Sequence, residues 1–324
     1  MSLDADAIVD RRRLRRKLIL WRTLALVAIV AVIAAIYMAT AGSGFIGEQR
    51  SHIARVNIGG VIRSDRPRLE MLDRIGRSGA QAVIVMIDSP GGTVVGSESL
   101  YDGIRRLAEK KPVVTVVNGL AASGGYVVAM SGERIFAQRN SIVGSIGVIF
   151  QNPNVTELLK TIGVTVEDIK SSPLKAQPNP YSPTPPEARK AMEALVLDSY
   201  DWFKNLVRER RALDDAQLNL AADGRVFTAN QARPLKLIDE IGDERAAKTW
   251  LEKNKGVPTG LRVRTWSAGG FGSEFRWLEV AGGLAQGLGL PGIGALLSSE
   301  ALTHAAARAQ LDGLLALWHP SLAD

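Results

Sequence analysis

Two β-branched runs, AVIVMID (82–88) and PVVTVV (112–117), each lead into a turn of small residues, DSPGGT (88–93) and NGLAASGG (118–125). Between them, from about Val94 to Lys110, Leu100, Ile104 and Leu107 share one helical face. Apolar runs of strand length joined by an amphipathic helix make βαβ units, which demand a largely parallel sheet in an α/β fold. IARVNI (53–58), RIFAQ (134–138) and SIGVIF (145–150) read as further strands. The loop SSPLKAQPNPYSPTPPE (171–187) holds six prolines in 17 residues and cannot be helical. A long amphipathic helix follows from about Glu187 to Arg211, and within DGRVFTANQARPLKLIDEIGD (223–243) Thr228 is placed to cap a helix. There is no internal repeat of solenoid type.

The 324 residues suffice for a sizeable core, and 46% hydrophobic with 23% charged residues excludes wholesale disorder. Without cysteine there is no disulfide, thiolate zinc site or cysteine nucleophile. The net charge of +7 is uneven, because residues 1–22 carry seven basic residues against Asp4, Asp6 and Asp10. That is a basic tail and not a nucleic-acid surface on the globular part. TLALVAIVAVIAAIYMATA (23–41) follows, with no charge until Glu48. At about 1.5 Å per residue it reaches roughly 28 Å, close to a bilayer's hydrocarbon core of about 30 Å. The flanking RRRLRRK predicts a single-pass anchor with its N-terminus in the cytoplasm. Ala39-Thr40-Ala41 has the form of a secretory cleavage site, but the length of the run favours a retained anchor. The expected organisation is a basic tail (1–22), a transmembrane helix (23–45), a globular domain (46–256) and a Gly/Ala/Leu-rich segment (257–324). Glycine interrupts that last segment too often for a second span; it is suited to a membrane surface, another subunit or an apolar groove.

The strand-end turns carry the chemistry. Ligands of open α/β sheets bind at the carboxyl ends of parallel strands. Pro90-Gly91-Gly92 makes a turn whose N–H groups can point outward, and Ser123 precedes Gly124-Gly125 at the next strand end. The amides of Gly92 and Gly124 are the two donors an oxyanion hole needs. Each motif alone is more often a plain turn or a helix cap; together at consecutive strand ends they point to acyl transfer. No phosphate-binding glycine pattern occurs at either turn. A serine needs a base, and His52, His304 and His319 lie off the strand-end loops. They are also too scattered for a metal site, so neither metal nor other cofactor is expected. Lysine remains. An ordinary lysine, with a pKa near 10.4, is neutral in about one molecule in 2,000 at pH 7. Bringing that pKa near 7 is worth roughly 4 kcal/mol, which burial in an apolar cleft can supply. Lys175 lies on the proline-rich loop beside Leu174, with Lys160 and Lys170 as rivals.

DSPGG, NGLAASGGY, GSIGV (144–148), a lysine about 50 residues beyond the serine, and GRVFTANQARPLKLIDEIGD, all behind a membrane anchor, resemble the signal peptide peptidase A family. These are Ser–Lys peptidases of the Clp protease/crotonase fold, built of repeated ββα units. The resemblance covers residues 50 to 250. It implies Ser123 as nucleophile, Lys175 as general base, Gly92 and Gly124 as oxyanion hole, and Ser145 as the residue orienting the lysine amine. Two departures stand out: Tyr126-Val127 where paired aromatics are common, and Pro173-Leu174 where glycine and an aromatic often precede the lysine. The single Ser-Gly-Gly motif marks the short form, for which the resemblance implies a homo-oligomeric ring, typically an octamer. Each site would then take its serine and lysine from neighbouring subunits.

The expectation is a serine endopeptidase on the outer face of a bacterial inner membrane, degrading signal-peptide remnants or other apolar peptides near the bilayer. A related peptidase acting on a stomatin-like partner and a non-catalytic ring scaffold are the alternatives. A crotonase-type acyl-CoA enzyme fits poorly, since an exported domain meets no CoA.

Overall fold

The computed structural model describes residues 48–268 and 314–317, together with residues 17, 18, 20–24 and 27. The chain divides into two compact units, Met1–Arg50 and Ser51–Asp324. In the first, residues 17, 18, 20–24 and 27 are helical. Most of the expected span at 23–45 lies outside the described residues, as do His304 and His319. Among the described residues no helix is long and apolar enough to cross a membrane.

The second unit begins with β1 (His52–Gly59), α1 (Arg66–Arg77), β2 (Ala80–Ser89), β3 (Gly91–Thr93), α2 (Val94–Ala108) and β4 (Val113–Ala122). Next come α3 (Gly124–Ala129), β5 (Ile135–Ala137), β6 (Ile142–Gly144), β7 (Ile149–Phe150), α4 (Thr156–Thr161) and α5 (Pro186–Arg211). The remaining elements are α6 (Asp215–Ala221), β8 (Val226–Thr228), α7 (Ala229–Ala232), β9 (Glu240–Ile241), α8 (Glu244–Asn254), β10 (Val263–Trp266) and β11 (Leu314–Leu317). The principal sheet has the order β10-β1-β2-β4-β5-β9, parallel throughout, with β6 on the far end of β4 and β8 antiparallel to β6. A second small sheet, β3-β11-β7, is antiparallel. The molecule is thus α/β with a mixed sheet.

Strand periodicity sorts the core. Val83, Val85 and Ile87 of β2 face one side, with Leu72, Ile104, Leu107 and Val128 from α1, α2 and α3. Ala82 and Ile84 face the other, with Val114, Val116, Phe136 and, from α8, Ala247 and Leu251. Covering both faces is what lets a parallel strand be apolar at nearly every position. Each fully buried Ile or Val side chain contributes about 1.5–3 kcal/mol.

Local signals place the helix starts. Thr93 Oγ1 accepts the Gly96 N–H at 3.0 Å and begins α2. Thr228 caps α7 in a capping box with Gln231. Pro186 opens α5, where its missing N–H costs nothing. SIGVIF is not one strand. Extended pairing occupies Ile142–Gly144 and resumes only at Ile149–Phe150, because Ser145 takes φ 52° and leaves the extended region. His52 is a packing residue, as expected: Trp266 Nε1 donates to its Nε2 at 3.0 Å, holding β10 against β1.

Phe136 is fully buried, edge-on to Trp250 at 6.4 Å between ring centroids. Phe136→Ala is expected to lower the unfolding free energy of the globular unit by about 3–5 kcal/mol, read by urea titration.

Candidate active site

β2 and β4 end side by side, with Ser89 in register with Ala121 after a shift that follows Ile87. From these two ends the chain makes its two small-residue turns. At the first, Ser89 Oγ donates to the Gly60 carbonyl at 2.7 Å and accepts the Gly91 N–H at 3.1 Å. β3 then lies along Ile62, whose N–H donates to the Gly91 carbonyl (2.8 Å) and whose carbonyl accepts from Thr93 N–H (2.9 Å). Backbone groups alternate sides along a strand, so the N–H of Gly92 faces the opposite edge, away from Ile62. A methyl on Gly92 would sit 1.8 Å from the Ile62 carbonyl oxygen, so glycine is required there by contact alone.

At the second turn Ser123 adopts φ 54°, ψ −118°. Such a conformation in a residue with a Cβ costs on the order of 1–3 kcal/mol and persists only where its surroundings enforce it. Here its N–H donates to the Gly144 carbonyl at 2.8 Å, and its carbonyl accepts from Tyr126 N–H (2.9 Å) and Val127 N–H (3.1 Å). The Tyr126 hydroxyl donates to the Leu237 carbonyl at 2.7 Å, which pins the wholly buried α3, and burial pushes that phenol's pKa upward. Gly125 lets α3 close on β2, since a methyl there would stand 2.6 Å from the Ser89 carbonyl oxygen.

Ser123 stands at the N-cap position of α3, yet its hydroxyl caps nothing. It donates instead to the Gly147 carbonyl over a long 3.4 Å. The loop 144–147 therefore cradles the serine from two carbonyls. Ser145 lies on that loop, 9% exposed, with its N–H donating to Arg225. Ser123, Gly124, Gly92 and Ser145 thus come from three neighbouring turns. A weakly engaged hydroxyl and, on the neighbouring turn, the outward N–H of Gly92 are groups that acyl transfer at serine can use.

The lysine lies apart. Lys175 is exposed on the irregular stretch before α5, and among the described residues no hydrogen bond joins it to Ser123. Its rivals are engaged: Lys160 pairs with Glu157 at 2.8 Å and Lys170 with Asp168 at 2.9 Å. No group of His, Asp or Glu suited to a metal occurs among the described residues. Sequence reasoning gave no role to Ser89, although it stands inside DSPGG; its hydroxyl ties both sides of the first turn.

The model of peptidase family S49 matches residues 105–258. A provisionally named protease of Synechocystis sp. is 38% identical over 210 residues, covering 64% of this chain and 76% of that protein. The chain belongs to peptidase family S49, and it is a serine peptidase. A provisionally named signal peptide peptidase SppA of Enterococcus faecium is 34% identical over 176 residues, 54% of this chain and 51% of that one. The chloroplastic serine protease SPPA of Arabidopsis thaliana is 31% identical over 187 residues, 56% of this chain and 27% of the plant protein. The chain therefore spans about half of the first of these two and about a quarter of the second. Among solved structures, a ClpP1 mutant from Listeria monocytogenes matches with TM-score 0.40 and 18% identity, over 59% of this chain and 92% of that one. That likeness is too slight to bear on assembly.

Gly92→Ala must displace β3 from Ile62 and so move the outward amide. Labelling of the chain by a fluorophosphonate probe is expected to fall on the order of a hundred-fold. Gly59→Ala, whose methyl meets nothing nearer than 3.8 Å, is expected to label like the parent.

Proposed function

We propose that the chain is a membrane-anchored endopeptidase of Clp protease/crotonase-like fold, working through a Ser–Lys dyad on apolar peptides such as signal-peptide remnants. The observation that carries this reading is Ser123, held at positive φ by backbone hydrogen bonds with its hydroxyl left uncapped. Ser123 Oγ attacks the peptide carbonyl while the neutral amine of Lys175 takes its proton. The amides of Gly92 and Gly124 hold the oxyanion, each worth roughly 3 kcal/mol. Collapse expels the leaving amine, which takes the proton back from the lysine, and leaves an acyl-enzyme on Ser123. Water, activated by the same amine, then releases the acid. Ser145 orients the amine through its hydroxyl.

A lysine base needs an apolar enclosure, and in one chain Lys175 is exposed. Around it Ile169 is 98% and Leu174 50% exposed, and Leu158 and Ile162 on and beside α4 are exposed as well. Apolar side chains gathered like this support burial against a second copy. On this reading the site is completed in a ring, of which an octamer is the expected form, with each serine meeting the lysine of a neighbour. The basic tail and the apolar run 23–41 support a single-pass anchor in a bacterial inner membrane with the globular unit outside.

In detergent-solubilised protein, Ser123→Ala and Lys175→Ala are each expected to abolish fluorophosphonate labelling while the oligomer persists. Loss only in Ser123→Ala would exclude Lys175 as the base, and labelling that survives Ser123→Ala would exclude that serine. Co-assembly of the two inactive variants in equal amounts should restore about a quarter of the sites, the chance that an intact serine meets an intact lysine across one interface. A site built within one chain restores none.

A further inference from the structure

β2 and β4 do not stay in step to their ends. From Val83 to Ile87 the first faces Val113 to Val117 of the second, residue for residue. The next pair is Ser89 with Ala121, so β2 advances two residues while β4 advances four. The excess lies in Asn118-Gly119-Leu120, a bulge just before the turn that carries Ser123. We propose that the carboxylate of Asp88 holds this bulge and so sets Ser123 against the Gly92 amide, which makes Asp88 a positioning residue for the reaction.

Three observations carry this. Asp88 stands at the shift itself, between the pairs Ile87–Val117 and Ser89–Ala121, and the Leu120 N–H donates to its Oδ1 at 3.1 Å. On the other flank Gln138 Nε2 donates to Asn118 Oδ1 at 3.0 Å, so the bulge is fixed from both sides. Second, the carboxylate lies directly on the bulged backbone. A methyl on Gly119 would stand 2.9 Å from Asp88 Oδ1, and glycine is what leaves room for the contact. Third, β4 changes neighbours at this point. Before the bulge Thr115–Val117 pair with Ile135–Ala137 of β5; after it Leu120–Ala122 pair with Ile142–Gly144 of β6. A bulge bends the strand that contains it, and this bend hands β4 from one partner to the next. The new register ends with Ala122 opposite Gly144, whose carbonyl accepts the Ser123 N–H.

Asp88 thus belongs to both turns. Its backbone leads into Ser89 and the Gly91-Gly92 turn, and its own carbonyl accepts the Gly60 N–H at 3.1 Å. Its side chain belongs to the strand that delivers the nucleophile. Ser123 and Gly92 are placed by their backbones, so the separation of hydroxyl and amide is the relation between two strand ends. Attack on a carbonyl tolerates little error there: a misplacement of about 1 Å can cost on the order of 100-fold in rate. Asp88 is exposed, and water competes for its bond to Leu120, so the contact adds little to global stability. The inference rests on the Ser123 reading for its catalytic consequence, but not for the contact itself.

The test is the rate of fluorophosphonate labelling of the full detergent-solubilised chain, followed over a series of probe concentrations. Asp88→Ala is expected to lower the maximal rate about ten-fold, with the half-saturating probe concentration and the urea midpoint unchanged. Asp88→Asn keeps an oxygen in the accepting position and is expected to recover the rate to within about three-fold of the parent. Gly119→Ala pushes the carboxylate off Leu120 and should slow labelling as Asp88→Ala does, the two together costing no more than either alone. A merely structural role would lower the fraction of chain that labels and shift the urea midpoint, while the folded fraction labelled at the parent's rate. That result overturns the proposal, as do additive effects or an Asn variant as slow as the Ala variant. The contact is read separately, by amide hydrogen exchange in a Ser123→Ala background. Exchange at Leu120 should quicken in Asp88→Ala and not in Asp88→Asn, and equal exchange in both overturns the proposal. Parent labelling that survives Ser123→Ala strikes the Ser123 assignment instead, and leaves the bulge contact to be judged on exchange.

Discussion

The hydrogen bond from Ser123 N–H to the Gly144 carbonyl joins the end of β4 to the end of β6, and the site is organised around it. It forms only because Ser123 takes a backbone conformation that a residue with a side chain avoids. The strain, on the order of 1–3 kcal/mol, is offset by fixed partners on every side. Tyr126 and Val127 bind the serine's carbonyl, Tyr126 is itself held through Leu237, and Arg211 grips Asp239 two residues further along with a two-pronged ion pair. Remove the glycine at 125 and the helix that begins there cannot close on Ser89. The small residues of NGLAASGG serve contact as well as conformation.

Much of the strand layout is readable in the sequence. Strands of five or more residues with buried faces announce themselves, as Ala82–Asp88 and Val113–Val117 do, because burial of both faces leaves almost every position apolar in a parallel sheet. The two turns that carry Gly92 and Ser123 are legible through their small residues at consecutive strand ends. The unreadable parts have a common cause. β3, β7 and β11 span two to four residues, too short for any periodicity, and they are joined across more than 160 residues of chain. SIGVIF misled because its apolar composition suits a strand, while the kink at Ser145 is imposed by Arg225, a partner 80 residues away. Ser89 passed unnoticed since a serine in a Ser-Pro turn needs no further reason to be there.

The two halves of the proposed dyad are prepared differently. The serine half is rigid: buried, strained, and bound by backbone groups of the 144–147 loop and of the helix it begins. The lysine half is exposed, on a stretch rich in proline whose neighbours are apolar and uncovered. A hydroxyl without a base is a poor nucleophile at neutral pH. On the proposed reading a single chain therefore holds a finished oxyanion site and an inert serine, and assembly supplies both the amine and the apolar enclosure that lowers its proton affinity.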